Sequence, residues 1–309
     1  MRIGIAGAGA VGCHYGSLLQ QAGHDVRLLA RGAHLAALQQ DGLLHVSNGV
    51  ETQLAVRASD DAAMFDDVDV ILLAGKMTNF PELLATLLKH VADDALLVTL
   101  QNGVAAPDMV QQAFPKHAVA AGTAFIGARI ERPGVVVHSA AGGVRLGRWQ
   151  HGSGESKLQP LIDDLHKAGV PIREEVDAHL MLWRKLLWNC GFNALTAITR
   201  HYARDMAAND ATLRLVKSAM QEAVDVAQKE GVALSSEDID KHVQDTLEGT
   251  GIVKTSMWQD IERGHPTEVD FLNGFVVSRG AQLDVATPVN SMLTTLVHAI
   301  EDGGNHSKM

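Results

Sequence analysis

Six residues near the amino terminus limit what this chain can fold into. Gly7-Ala8-Gly9-Ala10-Val11-Gly12 follows an alternating apolar run, Arg2 to Ala6, and opens a stretch bearing Leu18 and Leu19 that stops near Gly23. A second apolar run, Asp25 to Ala30, comes next. Strand, glycine turn, helix and strand in that order form the setting in which G-x-G-x-x-G holds a dinucleotide. The first two glycines permit the turn and the approach of a pyrophosphate, the third lets helix and strand pack, and the helix N-terminus faces the negative charge. The other reading, a glycine-rich turn and nothing more, leaves the flanking strands unexplained.

The end of the second strand commonly selects the cofactor, because an acid there takes the ribose 2'-hydroxyl and an arginine accepts a 2'-phosphate. This chain has Ala30-Arg31-Gly32 and no acid, which predicts NADP over NAD; Arg31 is otherwise a solvated turn residue. A hairpin at Asn48-Gly49 joins two short strands, and the buried-type run Val68 to Ala74 ends at Gly75-Lys76. Ligands of parallel sheets bind beyond the carboxyl ends of strands, so Lys76 either joins Arg31 at the adenosine phosphate or is a loop charge. A helix started by Asn79 and Pro81 follows, then a strand, Ala95 to Leu100, ending in Gln101-Asn102-Gly103. Asn102 faces the same crevice, where an amide binds nicotinamide ribose or substrate; Asn-Gly is also a common turn.

From Ala118 the pattern becomes glycine-punctuated strand: Val119 to Ile126, a hairpin at Arg132-Pro133-Gly134 into Val135 to Ser139, and a further strand, Gly142 to Gly147. These read as an antiparallel extension of the sheet. A helix, Glu155 to Gly169, and a strand, Pro171 to Arg173, complete a domain expected over residues 1–175. The remainder, 176–309, is helical by period, with helices over 180–195 and 209–230, after Ser235-Ser236-Glu237, from Glu268 to Arg279 and from Thr287 to Glu301. Lys254 to Asp260 reads as a connection, and Asp302-Gly303-Gly304 as a stop before a disordered tail. The expected fold is α/β: a Rossmann-type dinucleotide-binding domain followed by an all-helical domain.

Within that second domain, Leu180 to Leu195 is apolar on nearly every face, with Asp177 placed to cap it, and such a helix is usually buried. Lys185, Asn189 and Asn193 recur every four residues and share a stripe roughly 80° wide. Burying an unpartnered ammonium is expensive and the amides also need partners, so the row is expected to line a wet or ligand-filled cleft. Carbonyl reduction suits it, since lysine protonates the oxygen as hydride arrives and attracts an acidic substrate. A lysine that must stay charged predicts at most a modest depression of its pKa. Taken alone, a structural lysine snorkelling to the surface beside two packing asparagines explains the row equally well. Glu268, in the first turn of its expected helix, is by itself ordinary dipole compensation.

Composition removes other classes. Lysine and arginine number 26 against 36 acids, a net charge of -10, which predicts no nucleic-acid partner. The 309 residues hold no apolar run long enough for a membrane span and begin with a strand rather than a signal peptide, so a cytoplasmic protein without a membrane partner is expected, as monomer or homodimer. The 15 histidines lack metal-ligand spacing, which predicts no metal, and Cys13 and Cys190 lie too far apart to suggest a disulfide framework.

Several blocks then stand in a telling order: G-A-G-A-V-G, Lys76, Gln101-Asn102-Gly103, Leu182-Trp183-Arg184-Lys185-Leu186 with Asn189-Cys190 and Asn193-Ala194-Leu195-Thr196-Ala197, Ser256-Met257-Trp258-Gln259-Asp260, and Thr267-Glu268-Val269-Asp270 before Asn273-Gly274-Phe275. Over essentially the whole chain they resemble the ketopantoate reductase (2-dehydropantoate 2-reductase) family. The resemblance implies NADPH-dependent reduction of a 2-oxoacid, with ketopantoate the leading substrate, on the route to pantothenate and coenzyme A. It implies Lys185 as proton donor, Asn189 and Asn193 as orienting groups for the oxoacid, and Ser256 on the carboxylate side. Glu268 would hold a substrate hydroxyl and help to place the lysine or the nicotinamide end. Gly7, Ala8, Gly9, Ala10, Val11, Gly12, Arg31, Lys76, Asn102, Ala128 and Glu268 would contact NADPH. The family pattern also implies amides near Ala203 and Val253, neither of which is polar here, so the substrate is less defined than the reaction. The alternatives are a related reductase or dehydrogenase of another small 2-oxo or hydroxy acid, and a non-catalytic NADPH-binding redox sensor.

Overall fold

The computed structural model describes residues 1–249 and 251–306. The chain forms two compact units, Met1–Gln101 with Ala105–Met181, and Asn102–Val104 with Leu182–Met309. In the first, β1 (Arg2–Ala6), α1 (Ala10–Gln21) and β2 (Asp25–Leu29) make the expected glycine-turn unit. Next come α2 (Gly32–Asp41) and the hairpin of β3 (Leu43–Ser47) and β4 (Val50–Leu54). Its turn residues Asn48 and Gly49 both have positive φ, which two-residue hairpins favour and this pair tolerates. Then follow β5 (Arg57–Ser59), β6 (Val70–Leu73), α3 (Phe80–Leu87), β7 (Leu96–Thr99) and α4 (Ala106–Ala113). Two long strands, β8 (Val119–Arg132) and β9 (Val135–Gln150), lead to α5 (Leu158–Lys167) and β10 (Ile172–Glu175).

The ten strands make one sheet, ordered β4-β3-β9-β8-β7-β6-β1-β2-β5, with β10 beside β9. From β5 to β8 every pairing is parallel; β8 with β9 and β3 with β4 are antiparallel. The central strands β6 and β7 are buried at every position, as strands covered on both faces must be. Ile3, Ile5, Val70, Leu72 and Val98 of the sheet share a core with Cys13 and Leu19 of α1 and Leu161 and Leu165 of α5. The segments expected as separate strands, 135–139 and 142–147, are one strand. A bulge at Ala141 and Gly142, with φ of 57° and 122°, absorbs the extra residue instead of ending the ladder. Periodicity alone misses α2, β5 and α4, none longer than ten residues.

Among its described residues the second unit contains helices and no strand. α6 (Ala178–Thr199) begins under a cap in which Leu180 N donates to Asp177 Oδ1 at 2.9 Å. It is followed by α7 (Ala203–Ala208), α8 (Asp210–Lys229), α9 (Ser236–Glu248), α10 (Ser256–Arg263), α11 (Asn273–Leu283) and α12 (Pro288–His306). Three sequence expectations need correction here. Lys254 to Asp260 is no connection: Thr255 caps α10, accepting from Trp258 N at 3.3 Å, so the helix starts at Ser256. The helix expected from Glu268 starts only at Asn273, because a 3-10 turn, Val269–Phe271, intervenes and Glu268 stands just before it. The last helix runs through Gly303 and Gly304 to His306, since glycine weakens a helix without forbidding it. The tail expected beyond it falls, from 307, outside the described residues. No helix among the described residues is long and apolar enough to cross a membrane.

Candidate active site

In the first unit the three glycines have different reasons to be glycine. At Gly7, φ is +91° and a Cβ would stand 2.5 Å from Gly75 N, so the close pass of the turn after β6 excludes any side chain. At Gly12 a Cβ would lie 2.7 Å from Gly7 O and from Ile5 Cγ2, which is the packing of α1 on β1. A Cβ at Gly9 meets nothing within 4 Å among the described residues. Gly9 is also the N-cap of α1 and supplies no side-chain cap, so the open side of the turn presents helix-terminal amides. That is the arrangement a pyrophosphate needs beside Ala8, Ala10 and Val11.

Arg31 is the N-cap of α2, exposed, and its Nη1 pairs with Glu82 Oε1 at 2.8 Å. Lys76 is exposed and precedes a 3-10 turn, Met77–Asn79, leading into α3, whose first turn holds Glu82. The fold thus brings Arg31 to the segment that follows Lys76, through an acid that sequence reasoning missed. Ala128 stands elsewhere along the sheet: the ladder joining β8 to β7 ends at Ala121, and Ala128 pairs with His138 in the ribbon beyond.

In the second unit α6 carries Lys185, Asn189 and Asn193. Lys185 is partly buried, and its pKa is lowered to about 8 by desolvation, against which the Glu268 carboxylate pulls upward. This exceeds the modest depression expected, yet leaves the ammonium the major form at neutral pH. Asn102 Nδ2 donates to Glu268 Oε2 at 3.4 Å, so the carboxylate faces both an amide and a cation. Gly103, with φ of +88°, lets this segment lie against the turn after Glu268, for a Cβ there would be 2.7 Å from Phe271 O. Asn189 and Asn193 are only 4% and 2% exposed, and among the described residues Asn189 Nδ2 and Asn193 Oδ1 have no hydrogen-bond partner. Buried amides in that condition are costly unless a ligand completes them.

Ser256 is exposed at the first position of α10. The cap residue Thr255 ties that helix to α6, its Oγ1 standing 2.8 Å from Thr196 Oγ1, while Thr196 Oγ1 also donates to Asn193 O at 3.0 Å. The Thr196–Thr255 tie was not foreseen, though a threonine three residues past Asn193 on an apolar helix was a visible signal. Ala203 is buried at the start of α7, and Val253 is exposed. Among the described residues no group of three or more His, Cys, Asp or Glu side chains could hold a metal.

A parallel-sheet unit with an open glycine turn and, in the same chain, a helical unit with a desolvated lysine and its carboxylate define the class of nucleotide-dependent oxidoreductases. Residues 3–151 match the family model of ketopantoate reductase PanE/ApbA, and residues 177–301 match that of its C-terminal part. The 2-dehydropantoate 2-reductase of Streptococcus pyogenes serotype M6 is 30% identical over 303 residues, 97% of this chain and 98% of that protein. A PanE/ApbA family ketopantoate reductase from Ralstonia eutropha JMP134 has a similar structure, with TM-score 0.90 and 33% identity over 99% of this chain and 100% of that one. D-mandelate dehydrogenase in its ternary structure with NADH and anilino(oxo)acetate gives TM-score 0.92 and 28% identity, covering 99% of each chain. The chain belongs to the ketopantoate reductase family.

Proposed function

We propose that this chain is an NADPH-dependent reductase of a small 2-oxoacid, with 2-dehydropantoate (ketopantoate) the leading substrate. The observation that carries the reading is Lys185: an ammonium desolvated on an apolar helix, supported by the Glu268 carboxylate and followed by two buried amides with polar atoms to spare. A bound nicotinamide supplies hydride to the carbonyl carbon. Lys185 Nζ donates a hydrogen bond to the carbonyl oxygen, and its proton passes to that oxygen as negative charge develops. Asn189 Nδ2 and Asn193 Oδ1 gain partners on the oxoacid and hold it in line. Ser256, in the first turn of α10, takes the carboxylate, where the helix dipole also favours an anion. Glu268 takes a substrate hydroxyl while keeping the lysine protonated, and Asn102 steadies Glu268 or meets the nicotinamide ribose. Gly7 to Gly12 hold the pyrophosphate, Arg31 and Lys76 the 2'-phosphate, and Ala128 packs against the cofactor.

The likeness to D-mandelate dehydrogenase, together with apolar Ala203 and Val253, supports a second reading in which the oxoacid carries an apolar substituent. Steady-state rates with ketopantoate and a panel of 2-oxoacids, phenyl-bearing ones included, separate the two when run with NADPH and with NADH. Ketopantoate with NADPH is expected to give the highest kcat/KM. A higher value for another oxoacid transfers the assignment to it, and tight NADPH binding without turnover of any oxoacid favours the sensor.

A further inference from the structure

Asn273 has no accessible surface, and its amide nitrogen is used twice: Nδ2 donates to Cys190 O at 3.0 Å and to Asn290 Oδ1 at 2.9 Å. Cys190 lies on α6, next to Asn189 and five residues after Lys185; Asn273 opens α11, five residues after Glu268. One side chain therefore ties the helix of the lysine to the segment of the carboxylate. The tie does not stop there. Asn290 Nδ2 donates to Ala219 O at 2.9 Å and to Glu222 Oε2 at 2.7 Å. The buried Glu222 carboxylate also accepts from Val289 N at 2.8 Å and Asn290 N at 2.9 Å, at the start of α12. Four helices, α6, α8, α11 and α12, are thus linked by a chain of hydrogen bonds that ends on a charge, and charge-assisted bonds of this kind are the strong ones. Apolar packing would hold the helices together, whereas directed bonds also fix their register.

We infer that Asn273 is a positioning residue of the proposed reaction: through its bond to Cys190 it holds Glu268 at the spacing from Lys185 at which the carboxylate supports the ammonium. The effect on rate rests on the reductase reading; the effect on the lysine does not. Of the charged groups, Glu268 acts on Lys185, and Glu222 acts on Cys190 at the far end of the tie. If the tie is cut, Glu268 supports the ammonium less, desolvation acts with less opposition, and Lys185 gives up its proton at lower pH.

The test uses Asn273→Ser and Asn273→Ala, with Ile239→Ala in α9 as a packing control outside the chain of bonds. Two quantities are read: kcat against pH with NADPH and an oxoacid the wild type reduces, and the titration of the Lys185 amine by nitrogen NMR without turnover, its signal assigned by loss in Lys185→Ala. Both Asn273 variants are expected to lose on the order of a hundredfold in kcat, as small misplacements of catalytic groups do. KM should change less, and both the basic limb of kcat and the lysine titration should move to lower pH. Ile239→Ala lowers the melting temperature and leaves the limb in place. If Asn273→Ala fails to fold, Asn273→Ser decides by the same two readouts. The inference is overturned if the folded variants titrate as the wild type does, if Ile239→Ala moves the limb equally, or if neither Asn273 variant folds, which makes Asn273 a residue of the fold alone. A wild type that turns over no oxoacid refutes the reductase reading, while the lysine titration still decides the role of Asn273.

Discussion

At Arg31 the guanidinium proposed for a 2'-phosphate already holds Glu82 at 2.8 Å, with both side chains well exposed. A pair of this kind is worth at most about 1 kcal/mol, so it weakens a competing phosphate by no more than about fivefold. Glu82→Gln is therefore expected to tighten NADPH by up to about fivefold while leaving NADH unchanged, read by equilibrium titration of each cofactor; equal shifts for both would remove Arg31 from the phosphate site. Arg31 could be proposed from sequence because it stands just past the end of β2. Glu82 was not, because it lies 51 residues away and only the fold brings it near. The same division runs through Lys185. Its row with Asn189 and Asn193 follows from helical spacing, which is local, but the depth of its desolvation depends on what packs around α6, which no local pattern states.

Between residue and molecule, the elements that carry Glu268 and Asn102 show where periodicity gives out. Glu268 was expected inside a helix, yet it stands before a 3-10 turn, and that irregular backbone presents it to Asn102. Gly103 is the element-level requirement. An alanine there would need a left-handed conformation that costs about 1 kcal/mol or more, and its Cβ would press on Phe271 O. Gly103→Ala should therefore push the 102–104 segment off the turn after Glu268, lowering kcat about tenfold for a modest fall in melting temperature. Kinetics and melting measured on one preparation check this, and an unchanged kcat would show that the Asn102–Glu268 contact does not serve the reaction. The glycine turn, the hairpin at Asn48-Gly49 and the cap of α6 by Asp177 were all legible, because each is set by residues adjacent in sequence. The joining of two expected strands into β9 was not, since its bulge is held by His138, whose Nε2 lies 3.1 Å and 3.0 Å from Ala140 O and Ala141 O.

Across the first unit as a whole, the histidines, which from sequence show only a lack of metal-ligand spacing, include a buried group. His14 of α1 meets His45 of β3, Nδ1 to Nε2, at 3.0 Å, and its ring centroid is 4.4 Å from that of His138 on β9. Burial, then the neighbouring His138 and His45, depress the pKa of His14 to about 3. A base depressed on folding binds a proton in the unfolded chain first, so its share of stability is complete above about pH 6.5 and is lost as pH falls from there toward 3. The slope is about 1.4 kcal/mol per pH unit for one group. Urea unfolding between pH 7 and 4.5 should show the His14→Gln variant losing stability less steeply than wild type, and parallel curves would show that His14 is not a source of acid sensitivity. None of this touches the proposed chemistry, which turns on one cation. Turnover of Lys185→Ala with NADPH and ketopantoate, followed across pH, tests it most directly. A loss on the order of a hundredfold or more is predicted, together with disappearance of the fall in rate as pH rises through about 8; near-normal turnover with that limb intact would contradict it.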